Sequence, residues 1–344
     1  MKFLSLAIIF VVSVLGSSPA VLAGGDWTLE SHAIASGGSL DAQGGAWTLQ
    51  GTIGQAEGTS AHALNAGDWR MTGGFWGFLA EIQDQLFRDR FQYQPLSTFK
   101  DCAVCPTMVM IPAGTFTQGS PDSEPESLDS ERPQRTVNLP AFAIGQTEVT
   151  FAQWDACVAD GSCTHVPDDN GWGRGDRPVI GVSWNDAQEY VAWLSNRTGQ
   201  AYRLPSESER EYATRAGTAG RFNTGHCISS DQANFSGTNP AQGCPSGIFR
   251  EQTMSVASFA PNAFGLYDTH GNVWEWVQDC WNENYVGAPT DGSAWLSGEC
   301  SLAVARGGSW TNFGPRLRSA RRVRDSRGLR SLIVGFRVAR SVTL

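Results

Sequence analysis

The apolar positions of this chain fall into three regimes. In the first, Phe3 to Leu15 is almost wholly apolar after a basic Lys2, and Val21-Leu22-Ala23 offers a small-residue cleavage point. That order predicts a signal peptide over 1–23, cut after Ala23. An uncleaved anchor is the alternative, against which the shortness of the run argues; no later segment approaches the ~20 apolar residues of a spanning helix. In the second regime, 24–80, Trp27-Thr28-Leu29, Trp47-Thr48-Leu49 and Trp69-Arg70-Met71-Thr72 recur between Gly-containing turns. They predict a small Gly/Trp-rich β module. Residues 81–107 read as a connector: Ala80 to Gln92 has a helical pattern, with Ile82, Leu86, Phe87 and Phe91 near one face.

The third regime, 108–342, alternates short strands with three helices. Met108 to Phe116 reads as strand, turn, strand; Gly119 to Arg135 is a polar, acidic loop; Ala141 to Thr147 returns as a strand. Thr150 caps a helix holding Trp154 and Val158. A second helix starts near Asn185 and Asp186, carries Ala187, Tyr190, Val191 and Leu194 on one face, and stops at Gly199. A third follows Pro205, where Ser206 and Glu209 have capping-box spacing. Short strands and long loops follow Gly217. The pattern is α+β.

Composition sharpens this picture. At 41% hydrophobic and 17% charged the chain is globular, and 13 Trp with 39 Gly imply aromatic rings filling gaps between tightly turning backbone. The eight cysteines suit an oxidising compartment. Pairing sequence neighbours gives Cys102–Cys105, Cys157–Cys163, Cys227–Cys244 and Cys280–Cys300, one of many possible connectivities. A zinc site needs a second half that no spacing supplies, and a redox use of Cys102-Ala103-Val104-Cys105 would need a helix where Pro106 and a strand follow. Export, to the periplasm or outside the cell, is therefore expected. The net charge of -9 hides a strong asymmetry, because Arg306 to Arg340 holds ten Arg against the single acid Asp325. The acidic balance argues against nucleic-acid binding. The arginines either pair inward with the acidic remainder or form an anion-binding surface.

Six motifs carry a resemblance. They are Met110-Ile111-Pro112-Ala113-Gly114-Thr115-Phe116; Glu148-Val149-Thr150; Pro178-Val179 with Val182-Ser183-Trp184; Arg203-Leu204-Pro205-Ser206-Glu207-Ser208-Glu209; Asn262-Ala263-Phe264-Gly265-Leu266-Tyr267-Asp268 with Gly271-Asn272-Val273-Trp274-Glu275-Trp276; and Arg306-Gly307-Gly308-Ser309-Trp310 with Gly335-Phe336-Arg337. In this order they resemble the formylglycine-generating, or sulfatase-modifying factor, family. The resemblance does not reach 24–80. It implies an irregular C-type-lectin-like α+β fold and an oxidase that converts a sulfatase cysteine to formylglycine with copper and dioxygen.

The same resemblance places the two copper-holding cysteines at Asn312 and Leu317, neither of which supplies a thiolate. A copper site, and with it the oxidase activity, is not expected. A family calcium site would map to Asp268 and Glu275 by side chain and to Gly271 and Val273 by carbonyl, a hard-cation set. The alternative has Asp268 capping a turn and Glu275 paired with an arginine. A second family calcium site beginning at Asn234 and Phe235 would need a carboxylate where Ile248 stands. The related iron-dependent sulfoxide synthases need a histidine-bearing domain, and residues 24–106 hold only His32 and His62. His270 is the one histidine beside a motif, as a catalytic group or a solvated turn residue.

Three functions remain. A ligand-binding member would use the loop Thr311 to Val334, with Ser309, Trp310, Asn312, Phe313, Arg316 and Arg324 on its face, to recognise a glycan, an anionic ligand or an envelope protein. The alternatives are the formylglycine-generating oxidoreductase and a structural role in the envelope with 24–80 as the attachment.

Overall fold

The structure is a computed structural model that describes residues 96–342 and, before them, the backbone of five short strands. The expected signal peptide and the helical part of the connector lie outside the described residues. The chain divides into two units, Met1–Gln92 and Tyr93–Leu344. In the first, β1 (Trp27–Ser31), β2 (Ser39–Gly44) and β3 (Trp47–Thr52) form an antiparallel sheet in that order, and β4 (Leu64–Ala66) pairs with β5 (Trp69–Met71). Each of the three Trp-led runs begins a strand.

The second unit is α+β and irregular, as the motifs imply. Its first sheet has the order β11-β16-β10-β7-β6. Here β6 is Thr98–Phe99, β7 Met108–Ile111, β10 Phe142–Gly145, β11 Tyr202–Arg203 and β16 Ala339–Ser341. Residues 98–99, read from sequence as connector, instead add an edge strand against β7. Strands β8 (Gly114–Gln118) and β9 (Arg135–Leu139) form a separate antiparallel pair. A second sheet, in the order β14-β13-β12-β15, joins β12 (Trp274–Trp281), β13 (Glu299–Arg306), β14 (Arg322–Ser326) and β15 (Val334–Phe336). It includes two eight-residue strands where the sequence reading expected only short ones. Strand β14 also lies inside Thr311 to Val334, so that stretch is not one loop: its middle is zipped to β13 from Arg306↔Arg322 to Leu302↔Ser326.

The three helices start where their caps say. Thr150, Ser183 and Ser206 each complete a capping box, with Gln153, Asp186 and Glu209. The helices are α1 (Phe151–Ala159), α2 (Trp184–Thr198) and α3 (Glu207–Arg215). Gly199, at φ 69°, closes α2 in the left-handed region where a Cβ is penalised. Helices and second sheet meet in an aromatic core. Trp154 of α1 stacks on Tyr190 of α2 at 5.8 Å, and Phe336 of β15 sets its edge against both rings. Among the described residues no helix is long and apolar enough to cross a membrane.

Helix α3 is different, because all nine of its residues are buried and five are charged. Its charges are met by the arginine-rich C-terminus. Arg306 bonds Glu211 and lies 3.7 Å from Glu207; Arg322 reaches Glu207 at 2.8 Å; and Arg337 joins Arg210 on Glu275, each through a 2.6 Å bond. Elsewhere Arg318 pairs with Glu124 and Glu131, Arg321 with Glu131, Arg330 with Asp186, Arg340 with Asp101 and Arg324 with Glu283. Eight of the ten C-terminal arginines thus face a carboxylate, five of them buried, Arg321 mostly buried and Arg324 and Arg330 half-exposed, so inward pairing accounts for most of the basic segment. All eight cysteines are joined as Cys102–Cys105, Cys157–Cys163, Cys227–Cys244 and Cys280–Cys300, the neighbour pairing.

Glu211 accepts from Gly119 N at 3.0 Å and from Arg215 Nε at 2.9 Å, besides its bond to Arg306. Burial alone would raise its carboxyl, but Arg306 and Arg215 outweigh burial and hold it below the usual range. Glu211→Gln leaves two buried guanidinium groups without their shared counter-charge. It should cost about 3–5 kcal/mol in a denaturant titration, whereas Glu283→Gln, on an exposed pair, should leave the midpoint unchanged.

Candidate functional site

The turn after β13 sets up the site. Gly307 and Gly308 adopt φ 99° and 82°, and a Cβ on Gly308 would sit 2.9 Å from the Leu317 side chain. The chain therefore folds tightly over Leu317 and presents Ser309 to Phe313. Asn312 Oδ1 accepts from Ser309 N at 3.0 Å and from Ser309 Oγ at 2.9 Å, and Asn312 O accepts from Ser236 N at 2.9 Å. Leu317 is fully buried among Phe222, Ile228, Ala233, Phe235 and Ala241. The two positions that the resemblance gives to copper-holding cysteines are thus a turn-forming amide and a core methyl group. With all eight cysteines oxidised in pairs, no thiol is free to replace them.

His270 is bound into this arrangement and is neither catalytic-looking nor solvated. It is buried, its Nδ1 lies 2.6 Å from Leu317 O, and its Nε2 accepts from Asn223 N at 3.2 Å. A carbonyl can only accept, so the proton sits on Nδ1 and the ring is neutral. Burial, more than any other influence, lowers its pKa to about 4.

Around Ser309 to Phe313 the structure assembles an aromatic face. Trp310 meets Trp172 edge-on at 5.1 Å, lies parallel to Phe249 at 6.2 Å, and donates its indole N–H to Leu332 O at 3.2 Å. Ile248, tied through Gly237 to the Ser236–Asn312 contact, is 55% exposed, and Phe313 is 54% exposed. Of the residues predicted for a ligand face, Trp310, Asn312 and Phe313 come together here and Arg316 is exposed beside them, whereas Ser309 is fully buried and serves only to hold Asn312. Arg324 does not join them: it is bonded to Glu283 and stacked over Trp281 at 4.9 Å. Trp172 and Phe249 went unpredicted. Trp172 sits between Gly171 and Gly173 in a polar loop, and that setting was its signal.

Of the two calcium-type carboxylates, Glu275 is already paired with arginines and Asp268 caps a turn. Both Glu275 oxygens are taken by Arg210 (2.6 and 2.9 Å) and Arg337 (2.6 and 2.7 Å). Burial would raise the Glu275 carboxyl, but the two guanidinium groups hold it below its usual range, and their charge repels a metal. Asp268 Oδ2 accepts from Ala257 N at 2.7 Å, as a turn cap does, and its pKa is pushed up to about 6 by burial. Val273 donates its N–H to Glu148, and Gly271, at φ 83°, packs where a Cβ would meet Asn234 O at 2.4 Å. At the second calcium-type position Ile248 offers only backbone, its N–H going to Ser230 Oγ.

A family model for the sulfatase-modifying factor enzyme 1-like domain matches residues 95–342. The chain belongs to this family. The formylglycine-generating enzyme of Streptomyces coelicolor is 30% identical over 292 residues, covering 67% of this chain and 90% of that enzyme. The serine/threonine-protein kinase Pkn1 of Chlamydia trachomatis is 31% identical over 277 residues, or 74% of this chain, which spans only 40% of the kinase. The structure of PvdO from Pseudomonas aeruginosa is similar with a TM-score of 0.64 and 40% identity, over 72% of this chain and 99% of that one. The family relationship covers the second unit and leaves β1 to β5 outside the matched region.

Two outcomes follow. Neither calcium nor a chelator should move the thermal melting point, because Glu275 already holds its counter-charge. For His270, the folded pKa of about 4 lies below the unfolded value of 6.5, so its contribution is present above pH 6.5 and lost as pH falls toward 4. Relative to His270→Gln, which keeps one donor and one acceptor, the native protein should lose about 3 kcal/mol between pH 7 and pH 4 in chemical denaturation.

Proposed function

We propose that this chain is an exported, non-oxidase member of the sulfatase-modifying factor family that binds a protein partner in the cell envelope through the face around Trp310. The observation that carries the reading is the pair Asn312 and Leu317. The first has its amide oxygen fixed by Ser309, the second is sealed in a hydrophobic cluster, and neither can bind Cu(I).

Support for a protein partner comes from the chemistry of the face. Trp172, Phe249, Trp310 and Phe313 give large, stiff contact area, of the kind that dominates protein interfaces. Most of the arginines that would have drawn an anionic ligand are spent on internal carboxylates, Arg324 is taken by the exposed Glu283, and Arg316 alone among those predicted stands exposed without a carboxylate partner. Four disulfides suit an oxidising compartment.

The test has two arms. Incubated with copper, dioxygen and a sulfatase-motif peptide, the protein should produce no aldehyde; turnover would return it to the oxidases. A photo-crosslinking residue placed at the exposed Phe313 should capture one discrete envelope protein in the producing cell, and Trp310→Ala should abolish that capture. Absence of any crosslink, or one indifferent to Trp310, would remove the binding face from the reading.

A further inference from the structure

A second recess shares none of its residues with the Trp310 face. It is a cleft of about 320 Å³ between β8, the end of α3 and the turn at Phe264, at the small end of the range for ligand pockets. Three rings line it. Tyr212 lies 5.4 Å from Phe116 and 5.4 Å from Phe264, inclined at 50° and 64°. Gly114 makes this possible, because a Cβ there would meet the Tyr212 hydroxyl at 2.2 Å. The hydroxyl instead donates to Pro112 O at 3.3 Å.

The rim is polar and neutral, and it accepts more than it donates. Thr115 spends its hydroxyl hydrogen on Asn138 Oδ1 at 2.7 Å, and Thr218 spends its own on Arg215 O at 2.8 Å. Gln134 gives one amide hydrogen to Gly119 O at 3.3 Å and keeps its oxygen as an acceptor and a second amide hydrogen as a donor. The one charged lining residue, Arg215, has nothing left to offer: Nε goes to Glu211, Nη1 to Ala219 O and Gly220 O, and Nη2 to Gly119 O. An anion therefore finds no charged donor, only the neutral Thr117 hydroxyl and the second Gln134 amide hydrogen. A cation finds no lining carboxylate, since Glu211 is turned inward to Arg215 and Arg306, two positive groups against one negative.

What remains is an uncharged ligand of one ring, with an apolar face for the aromatic rings and several hydroxyls to donate. We propose that this cleft binds a single neutral hexopyranose ring, free or at the end of a glycan. The site is separate from the Trp310 face and stands or falls without it.

Saturation-transfer NMR with methyl glucoside, mannoside and galactoside, their disaccharides, and glucuronate and glucosamine as charged controls tests the assignment. At least one neutral hexoside should receive transfer at its ring C–H protons, with charged counterparts weaker by about tenfold. Ala219→Trp, at an exposed position on the mouth, should abolish transfer without disturbing the core, and Phe264→Ala should weaken it by about tenfold. Trp310→Ala should leave it intact, which separates this site from the partner face. Equal affinity for monosaccharide and disaccharide would identify a free sugar as ligand and a tighter disaccharide a glycan end, and both uphold the site. No transfer to any neutral hexoside, transfer that survives Ala219→Trp, or equal binding of the charged sugars would overturn it.

Discussion

Burying helix α3 is the constraint on which the domain depends. Glu207, Glu209, Arg210, Glu211 and Arg215 all leave water, and an uncompensated charge inside a protein costs several kcal/mol. The compensation comes from far along the chain. Arg306 ends β13, Arg322 begins β14, Glu275 lies in β12 and Arg337 follows β15. Each bond therefore ties the helix to a different place on the second sheet. An apolar contact tolerates sliding, whereas a forked guanidinium–carboxylate bond does not. With so little regular structure elsewhere, this network is what fixes how the long loops attach.

Much of that arrangement was legible before any coordinates. The capping residues Thr150, Ser183 and Ser206 mark helix starts because the side-chain-to-backbone bond is local and needs no knowledge of the fold. Ten arginines against one acid in a chain of net charge -9 pointed to internal pairing. Less was legible where the signal is tertiary. The length of β12 was missed because Trp274 to Trp281 is buried at nearly every position and shows no alternation. His270 was read as a turn residue because nothing local announces that Leu317 and Asn223 close over it. The calcium reading did not foresee Arg210 on Glu275: a motif shows which carboxylates are close in sequence, and not which guanidinium reaches them from another element.

The same distinction governs the site. The Gly307–Gly308 turn, the Leu317 contact and the His270 bond form one unit, and that unit is a scaffold that needs particular shapes, not thiols. Leu317 satisfies it with branched methyl groups, and its carbonyl still receives the His270 proton. Asn312 satisfies it by closing a turn on Ser309. Fold and chemistry are therefore separable here, and a family fold carries function only through the side chains placed on it. At the two positions that the resemblance gives to the reactive pair, Asn312 and Leu317 are held by the Ser309, His270 and Gly308 contacts of this chain.

Committing the arginines inward also determines what the surface can recognise. With eight C-terminal arginines facing carboxylates, the positive charge that stands outside among the described C-terminal residues is confined to Arg316 and the paired, half-exposed Arg324 and Arg330, while Asp122, Asp129 and Glu283 keep largely exposed carboxylates. Charge steering of an acidic partner is thereby weak, and what charge attraction exists is screened within about 10 Å at ordinary salt. Recognition falls to shape and apolar contact, which are insensitive to salt. Trp310 is suited to this because its indole N–H is already satisfied by Leu332 O, and Trp172 and Phe249 hold its ring in place. A partner that covers it desolvates no unpaired donor and orders no floppy side chain, two of the costs that most often offset the burial of apolar area. The interior charge network and the aromatic face are in that sense one design: the first removes from the surface the groups that would make the second charge-selective.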